Sequence, residues 1–460
     1  MRFWRSLLPP LSSSPLKALS NPVAFSELVL QLHRKLSLRQ ILNGLIYVLL
    51  GFVLALGLHA CQPNPPQQPI SSPQDSPSSS ATVSNSQDPS SSPQTSTLPT
   101  VVLPTASPLA LSPEAEALVF SVGPDGLYNP PQGDVRLVVI SDLNGAYGST
   151  DYDPEIDKAM ALLPFWQPDI VVCSGDMVAG QNPTLTDAEL VAMWSAFDDH
   201  VAAPLRQANL PYGFTIGNHD ASGAKGGTGE FLFERERIAA STYWNDPAHA
   251  PGIEFVDRND FPFYYTFKVN DIFFLAWDGS SFKIPPEKLD WVEQALASPE
   301  AQSAKMRVLL GHLPLYAVAV GRDKPGEVLA DADELREMLE RHQVHTYISG
   351  HQHAYYPAHK GDLQLLHTGI LGSGPRPYVG SQVPSQKALT VMDINFDDPD
   401  LTTYTTYDMQ TLALIEMETL PRFINGHNGR VLRRDVEMDD LTVDEQAACE
   451  QSLGTELCSA

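Results

Sequence analysis

Five apolar runs in this chain are each followed, directly or after one residue, by a short polar motif, and this arrangement limits the possible folds more strongly than any other pattern. The runs have the length and composition of buried strands. In an α/β sheet the ligand crevice lies at the carboxyl ends of the strands, so motifs placed there can converge. The runs and their motifs are VRLVVI with Asp142, DIVVC with Gly175-Asp176, YGFTI with Gly217-Asn218-His219-Asp220, MRVLL with Gly311-His312-Leu313-Pro314, and HTYIS with Gly350-His351-Gln352-His353.

Helical patterns separate several of these runs, and further strand patterns follow them. This alternation favours an α/β domain with largely buried sheets. The segments 264–269 and 271–277 indicate a hairpin that turns at Asn270-Asp271, so part of a sheet is antiparallel. Residues 401–417 are candidates for edge strands. The predicted helices are 153–163, 186–197, 230–240, 285–298 and 331–342, and the other predicted strands are 363–368 and 388–394.

The motif side chains are of the types that bind metal ions. Asp, Asn and His are common ligands, and each neighbouring Gly lets the backbone pass close to a crowded centre. Any one of these motifs alone is uninformative, because a lone GD or GH is frequent and GNHD is commonly a turn. Their occurrence as an ordered set at predicted strand ends indicates a metal site.

The ordered set resembles that of the metallophosphoesterase (calcineurin-like phosphoesterase) family, over about residues 135–375. The resemblance implies two mixed β-sheets packed face to face and flanked by helices. It also implies two divalent or trivalent metal ions in one cleft, with Mn, Fe and Zn as the expected elements. The implied reaction is hydrolysis of a phosphate monoester or diester by a hydroxide that bridges the two ions.

The resemblance implies a role for each motif residue. Asp142 and His353 would bind the first metal ion, and Asp176 would bridge both ions. His219 would protonate the leaving-group oxygen while Asp220 holds its ring, since the pKa of an imidazole suits an acid at neutral pH. The second metal ion would be bound by Asn218, His312 and His351.

The chain departs from the family at Asn144, where the first family motif has a histidine. Asn144 could bind the first ion through its side-chain oxygen, which would favour Mn, Mg or Fe over Zn. It could instead step back and leave a water molecule in that position, or the site could be degenerate. Degeneracy is disfavoured because every other ligand position is filled. Ala179 stands where the purple acid phosphatases of this family have a metal-binding Tyr, so that subtype is not expected.

Several residues near the motifs have two interpretations. Arg376, in the run 369–381, either binds a substrate phosphate or belongs to a surface loop. Tyr147 and Tyr152 either shape the cleft or pack the first loop. His367 ends a predicted strand and is a candidate for supporting a metal ligand.

The charge distribution separates the N-terminus from the rest of the chain. The formal net charge of -26 argues against binding to a nucleic-acid backbone, which requires clustered Lys and Arg. Residues 1–40, in contrast, form a basic region ahead of the uncharged apolar segment 41–61, whose length matches a bilayer core. This segment ends in Leu58-His59-Ala60-Cys61, which resembles the lipobox of bacterial lipoproteins.

Three interpretations of residues 41–61 stay open: a cleaved lipoprotein signal with lipid on Cys61, an uncleaved signal anchor, or a wrongly extended start or buried helix. The first two tether the protein to the membrane and place its main body outside the cytoplasm. Residues 62–112 are rich in Pro and Ser, which predicts a disordered linker. The predicted catalytic domain spans 115–418, and 419–460 form an acidic C-terminal extension.

Three cysteines lie in the part of the chain that follows the apolar segment. Cys449 and Cys458 could pair in an oxidising compartment if their geometry allows it. Cys173 lies in an apolar run and is expected to be a buried, inert thiol.

The sequence thus predicts a membrane-tethered, extracytoplasmic hydrolase of phosphate esters. The alternative is a non-catalytic tethered binding protein that retains the fold. Retention of His219-Asp220 argues against this alternative, because a binding protein has no use for a leaving-group acid.

Overall fold

The structure is a computed structural model that describes residues 110–397 and 402–459. The predictions for 1–40 and 41–61, and for most of 62–112, lie outside the described residues. Within the described ranges, no helix is long and apolar enough to cross a membrane.

The described residues form alternating strands and helices. The strands are β1 (Val135–Ile140), β2 (Ile170–Cys173), β3 (Tyr212–Phe214), β4 (Glu254–Asp260), β5 (Tyr264–Val269), β6 (Ile272–Ala276), β7 (Met306–Leu310), β8 (Thr346–Ser349), β9 (Tyr355–Lys360), β10 (Leu363–Thr368), β11 (Ala388–Ile394), β12 (Thr403–Asp408), β13 (Phe423–Gly426) and β14 (Gly429–Arg433). The α-helices are α1 (Pro113–Ser121), α2 (Pro154–Trp166), α3 (Asp187–Phe197), α4 (Ala203–Gln207), α5 (Asn218–Ala221), α6 (Glu234–Asn245), α7 (Pro286–Leu296), α8 (Pro299–Ser303), α9 (Ala332–Arg341), α10 (Val443–Leu453) and α11 (Thr455–Cys458).

The first sheet has the strand order β12-β11-β1-β2-β3. Strands β1, β2 and β3 are parallel, with Val139 opposite Val172 and Val172 opposite Gly213, whereas β11 runs antiparallel to β1. All six positions of β1 are buried, as expected for a central strand that is covered on both faces. The parallel arrangement brings the ends of β1, β2 and β3 to one edge.

The second sheet has the order β13-β14-β9-β10-β8-β7-β6-β5-β4. Its centre is parallel, because β6, β7, β8 and β10 run in one direction. The predicted hairpin is confirmed: β5 and β6 are antiparallel, and Val269 pairs with Ile272 across a two-residue turn. Strands β13 and β14 extend the sheet through β9, where Arg433 lies opposite Ala358.

The two sheets pack against each other through contacts between β3 and the β5–β6 hairpin. The Phe214 backbone N–H donates to the Tyr265 hydroxyl (3.1 Å), and the Thr215 hydroxyl donates to the Trp277 carbonyl (2.7 Å). A Cβ atom added at Gly213 would lie 2.6 Å from the Phe267 ring, so only glycine permits this approach. The predicted fold class, two mixed β-sheets with flanking helices, is confirmed.

Several elements differ from the predicted ones. The helix expected at 230–240 begins only at Glu234, because Phe231 forms a β-bridge with Lys225 and the Gly226 N–H donates to the Glu230 carbonyl. Strands β4 and β9 were not predicted. In β9 the interruption by Pro357 hides the strand pattern.

The C-terminal segment contains β13, β14, α10 and α11. Cys449 and Cys458 form a disulfide with a Cα–Cα distance of 5.9 Å, so the pairing left open above does occur. Cys173 is free and buried, as predicted.

Candidate metal centre

The candidate ligands lie at the carboxyl ends of strands from both sheets. In the order β1, β2, β3, β7 and β8, the residues that follow the strands are Asp142, Asp176, Asn218, His312, and His351 with His353. Non-glycine residues seldom adopt a left-handed backbone, and its recurrence among clustered polar residues is typical of functional sites. Four of the six adopt it: Asp142 (φ 51°), Asp176 (φ 57°), His351 (φ 64°) and His353 (φ 54°).

The first side of the centre consists of Asp142 and His353. His353 Nε2 lies 3.2 Å from Asp142 Oδ1, and His353 Nδ1 lies 3.1 Å from the Gly374 carbonyl oxygen. Asp142 is fully buried and accepts hydrogen bonds from Ser141 Oγ (2.6 Å) and from the His351 backbone N–H (3.1 Å). Burial raises the pKa of Asp142, but the His353 imidazole outweighs it, so the pKa is lowered. Asp142 is therefore an ionised candidate ligand whose carboxylate is held by hydrogen bonds.

Asn144 lies beside this first side. Its backbone N–H donates to the Asp176 carbonyl (3.2 Å), and its carbonyl accepts from the Ser373 N–H (3.4 Å). A Cβ atom added at Gly372 would lie 2.4 Å from the Asn144 carbonyl oxygen, so the loop packs tightly there. The Asn144 amide has no hydrogen-bond partner among the described residues, although the residue is only 7% exposed. Its role as a metal ligand stays a prediction.

Asp176 lies between the two sides. Its Oδ1 accepts from the His219 backbone N–H (2.8 Å), and its Oδ2 lies 3.2 Å from His312 Nε2. Burial raises the pKa of this carboxyl, but the nearby imidazoles of His312 and His219 outweigh burial, so the pKa is well below its usual range. Asp176 is thus a second buried carboxylate, available to both sides.

The second side consists of Asn218, His312 and His351. Asn218 Oδ1 lies 2.9 Å from His312 Nε2 and 2.8 Å from His351 Nδ1. Asn218 Nδ2 donates to Gln181 Oε1 (2.9 Å), which fixes the amide so that its oxygen faces the two rings. His312 Nδ1 donates to the Ser174 carbonyl (2.8 Å). Three potential ligand atoms therefore converge on one point.

The two imidazoles of this side have opposite pKa shifts. Burial lowers the pKa of His312, but the Asp176 carboxylate outweighs it and raises the pKa to about 9. Burial lowers the pKa of His351 to about 3, although its contact with Glu327 acts in the opposite direction. Without a bound cation, the His312 ring is therefore a positively charged imidazolium at neutral pH, whereas the His351 ring is neutral.

The chemistry of the centre fits a metal cation. Among the described residues, the ion-pair partners of Asp142 and Asp176 are histidines rather than Lys or Arg. Buried carboxylates without such a partner are stabilised by a bound cation. Ligand atoms of Asp142, Asp176 and His312 all lie within 4.8 Å of one another, and this mixture of carboxylate and imidazole suits a first-row divalent ion.

Residues 135–355 match the sequence model of the calcineurin-like phosphoesterase family. This range contains all six residues of the centre. The chain carries a calcineurin-like phosphoesterase domain. The resemblance inferred from the motifs is therefore confirmed.

Solved structures with similar folds share little sequence with the phosphoesterase domain. A purple acid phosphatase from yellow lupin (Lupinus luteus) seeds is 16% identical, with a TM-score of 0.45, and the match covers 63% of this chain and 54% of that chain. The chain thus spans 54% of the length of that phosphatase. GAP50, the anchor in the inner membrane complex of Plasmodium, is 13% identical, with a TM-score of 0.40 and coverage of 69% and 94%. No curated protein matches the chain.

His219 lies next to the candidate metal centre of the phosphoesterase domain, and its side chain is not among the candidate ligands. Its Nδ1 lies 3.2 Å from the Gly180 carbonyl oxygen, and its Nε2 lies 4.0 Å from Asp176 Oδ2. The side chain is 12% exposed, and the Tyr147 ring packs against it at an angle of 34° with a centroid distance of 5.1 Å. His219 is therefore reachable from solvent, and Tyr147 lies at the mouth of the site.

The predicted contact between Asp220 and the His219 ring is wrong. The Asp220 carboxylate instead accepts four backbone N–H groups, and the ring is held by the Gly180 carbonyl. Burial and the charge of Asp176 raise the pKa of Asp220 to about 7, while the N–H donors oppose this shift. Asp220 thus shapes the loop that carries Asp176. Its donors are the N–H groups of Asp176, Met177, Val178 and Gly217, at 2.7 to 2.9 Å.

Three polar residues near the ligands were not predicted from the sequence. Gln181 orients Asn218, Glu327 contacts His351 Nε2 at 2.9 Å, and Arg322 binds the same Glu327 carboxylate. Gln181 follows the GD motif closely, so its position was a possible signal. Glu327 and Arg322 belong to a loop without periodicity, and no sequence pattern indicates their contact with His351.

The structure also locates the residues that had two interpretations. The Arg376 backbone N–H donates to the His353 carbonyl (3.0 Å), and its Nε is buried without a hydrogen-bond partner in the described part of the chain. Its guanidinium packs against Gly321, 3.1 Å from an added Cβ. Tyr152 packs the first loop, because its hydroxyl donates to the Met177 carbonyl (2.7 Å). His367 is buried, and neither of its ring nitrogens forms a hydrogen bond with a described residue, so it supports none of the candidate ligands through a hydrogen bond.

Proposed function

We propose that the phosphoesterase domain hydrolyses phosphate monoesters or diesters at this centre with two bound metal ions. The observation that carries the proposal is the convergence of Asn218, His312 and His351 beside the buried pair Asp142 and Asp176. Asp176 lies between both groups, which suits a bridging carboxylate. When bound, the ions supply positive charge to the phosphoryl oxygens and lower the pKa of a water molecule.

His219 is the proposed acid for the leaving group. Its Nδ1 faces a carbonyl oxygen, which only accepts hydrogen bonds, so Nδ1 carries a proton. Its Nε2 lies on the side of Asp176 and can deliver a second proton when the ring is protonated. An acid placed in this way stabilises the departing alkoxide of a poor leaving group.

Arg376 is the proposed contact for a substrate phosphate. Its backbone N–H donates a hydrogen bond to the His353 carbonyl, and its guanidinium has no ion-pair partner among the described residues. A guanidinium can bind two phosphate oxygens at once. The proposal therefore assigns Arg376 to orienting the phosphoryl group on the first side.

The proposed location is outside the cytoplasm, tethered to the membrane through a lipid on Cys61 or through a signal anchor. The basic region 1–40 and the apolar segment 41–61 support this proposal. The disulfide Cys449–Cys458 adds support, because such bonds persist in oxidising compartments. Edman or mass analysis of the mature N-terminus tests it: an acylated Cys61 supports a lipoprotein, and an intact Met1 supports an anchor.

Hydrolysis by the metal-depleted full-length chain, with and without added Mn²⁺, tests the catalytic proposal. We expect aryl phosphate hydrolysis only with the metal. The variant Asp176→Asn should lose this activity. Asp198→Asn is its matched control, because Asp198 is a partly buried carboxylate that pairs with Arg206 outside the centre. A protein that binds metal but releases no aryl alcohol from aryl phosphate monoesters or diesters would support the alternative, a tethered binding protein.

A further inference from the structure

Glu327 lies in the loop between β7 and α9 and contacts the outer nitrogen of a candidate ligand. Its Oε2 lies 2.9 Å from His351 Nε2. The other ring nitrogen, Nδ1, faces the centre, 2.8 Å from Asn218 Oδ1. His351 thus stands between a carboxylate on one side and the convergence point of the second side on the other.

The chemistry of this contact favours one position of a proton. An ionised carboxylate only accepts hydrogen bonds, so the Glu327 contact at 2.9 Å favours the neutral ring with its proton on Nε2. Arg322 Nη1 also lies near Nε2, at the longer distance of 3.1 Å, and it pairs with the same carboxylate. Nδ1 is then unprotonated, and its lone pair is directed to the centre. Without the carboxylate, the proton could reside on either nitrogen, and the Nδ1–H form cannot bind a metal ion through Nδ1.

The loop that carries Glu327 is itself held in place. Arg322 and Lys324 both pair with the Glu327 carboxylate. The Glu327 carbonyl accepts from Gln352 Nε2 (3.2 Å), and Gln352 directly follows His351 in the chain. The Gln352 Oε1 in turn accepts from the backbone N–H groups of Val318 and Ala319 (3.0 Å each). The ligand segment and the Glu327 loop therefore fix each other.

The outer partner of His351 differs from that of His312. His312 Nδ1 meets a backbone carbonyl, which no substitution of a side chain removes. His351 Nε2 meets a side-chain carboxylate that carries charge. A metal-binding imidazole commonly donates its second N–H to such a group, and loss of that partner lowers metal affinity by about 10- to 100-fold.

We propose that Glu327 is a positioning residue for the second side: it holds the His351 ring in the Nε2–H form and so presents Nδ1 to a metal ion. The proposal rests on the proposed metal centre but not on catalysis. It assigns to Glu327 an effect on metal binding that is independent of substrate.

The test compares Glu327→Ala and Glu327→Gln with a matched control, Glu340→Ala. Glu340 is 19% exposed and pairs with Arg336, and Glu327 is 21% exposed and pairs with Arg322, so the control removes a similar ion pair away from the centre. Metal affinity is measured by equilibrium dialysis with Mn²⁺ or Co²⁺. The His351 tautomer in the metal-free full chain is read from ¹⁵N-histidine NMR spectra, with the signal assigned through His351→Gln.

We expect Glu327→Ala to weaken the binding of one metal equivalent by about 10- to 100-fold and to reduce the Nε2–H signal of His351. Glu327→Gln, which keeps the shape and an acceptor oxygen, should lie between Glu327→Ala and the unaltered protein. Glu340→Ala should bind metal normally.

Two outcomes would overturn the proposal. One is normal affinity and an unchanged His351 tautomer in both Glu327 variants, and the other is an equal loss of affinity in Glu340→Ala. If Glu327→Ala fails to fold, as judged by circular dichroism, the isosteric Glu327→Gln decides alone. Because the readout is metal binding, a lack of hydrolysis by the unaltered protein would refute the proposed function and leave this result standing.

Discussion

The two sides of the candidate metal centre differ in how firmly their candidate ligands are held. On the second side, His312 Nδ1 contacts the Ser174 carbonyl and His351 Nε2 contacts Glu327, so both rings have short outer contacts of 2.8 and 2.9 Å. On the first side, His353 Nδ1 lies 3.1 Å from the carbonyl of the exposed Gly374. The adjacent Asn144 amide has no partner among the described residues.

This difference leads us to expect different metal affinities on the two sides. Ligands that are oriented before binding give higher metal affinity than ligands that must be ordered by the ion. We therefore expect the second side to bind its ion more tightly. The first side, with asparagine in place of the family histidine, is where metal identity and occupancy should vary.

Asp176→Asn should have the largest effect, because this carboxylate belongs to both sides. The amide keeps the shape but removes the charge, and we expect kcat to fall by about 10³-fold or more. Steady-state hydrolysis of an aryl phosphate, with metal content measured in parallel, checks this. Retention of more than about a tenth of the activity would contradict a shared role of Asp176.

His219→Ala should have the next largest effect, and only on some substrates. The His219 side chain is not among the candidate ligands of either side, so the metal content of the variant should be unchanged. For an alkyl phosphate with a poor leaving group we expect a loss of about 10²-fold or more. For an aryl phosphate with a good leaving group the loss should be below about tenfold. Equal losses on the two substrates would refute the acid role.

Proton competition should distinguish the two sides by pH. His312 has a pKa raised to about 9, so below that pH a proton must leave before a metal ion binds on the second side. The apparent affinity of this side should fall about tenfold for each pH unit below 9 and level off above it. Metal titrations at pH 7, 8, 9 and 10 measure this slope, and an affinity that is flat between pH 7 and 9 would contradict it.

Asn144→His should have the smallest effect and should act on the first side alone. A histidine restores the family ligand, so we expect the affinity for Zn²⁺ to rise by about tenfold.

Asn144→Ala separates the two open interpretations of Asn144. If the Asn144 oxygen binds the ion, this variant lowers the affinity of the first side; if a water molecule takes that position, the affinity hardly changes. Competition of Zn²⁺ with Mn²⁺ measures both variants, and weaker Zn²⁺ binding by Asn144→His would contradict the comparison.

Much of the fold could be predicted because its central strands are continuous apolar runs. β1 and β11 have the predicted bounds, since burial on both faces leaves no ambiguity of period. β4 could not be predicted in the same way, because this edge strand is charged and largely exposed. β9 contains a proline, and a proline argues against a strand when only the sequence is known.

The candidate site could be predicted where its residues belong to motifs at strand ends. The role of Asp220 could not, because its four donors are backbone N–H groups whose direction depends on the loop conformation. Glu327 lies 24 residues before His351 in a loop with no repeating pattern. Only the packing of that loop against the second sheet reveals their contact.

The most direct test of the account is a metal titration of the metal-depleted full-length chain with an aryl phosphate monoester and an aryl phosphate diester, in which bound metal and released aryl alcohol are measured in the same samples. The account predicts tight binding of a first equivalent, weaker binding of a second, and hydrolysis of an aryl phosphate that appears as the second equivalent binds. Saturation at one equivalent, or two bound equivalents without release of the aryl alcohol from either substrate, would contradict it.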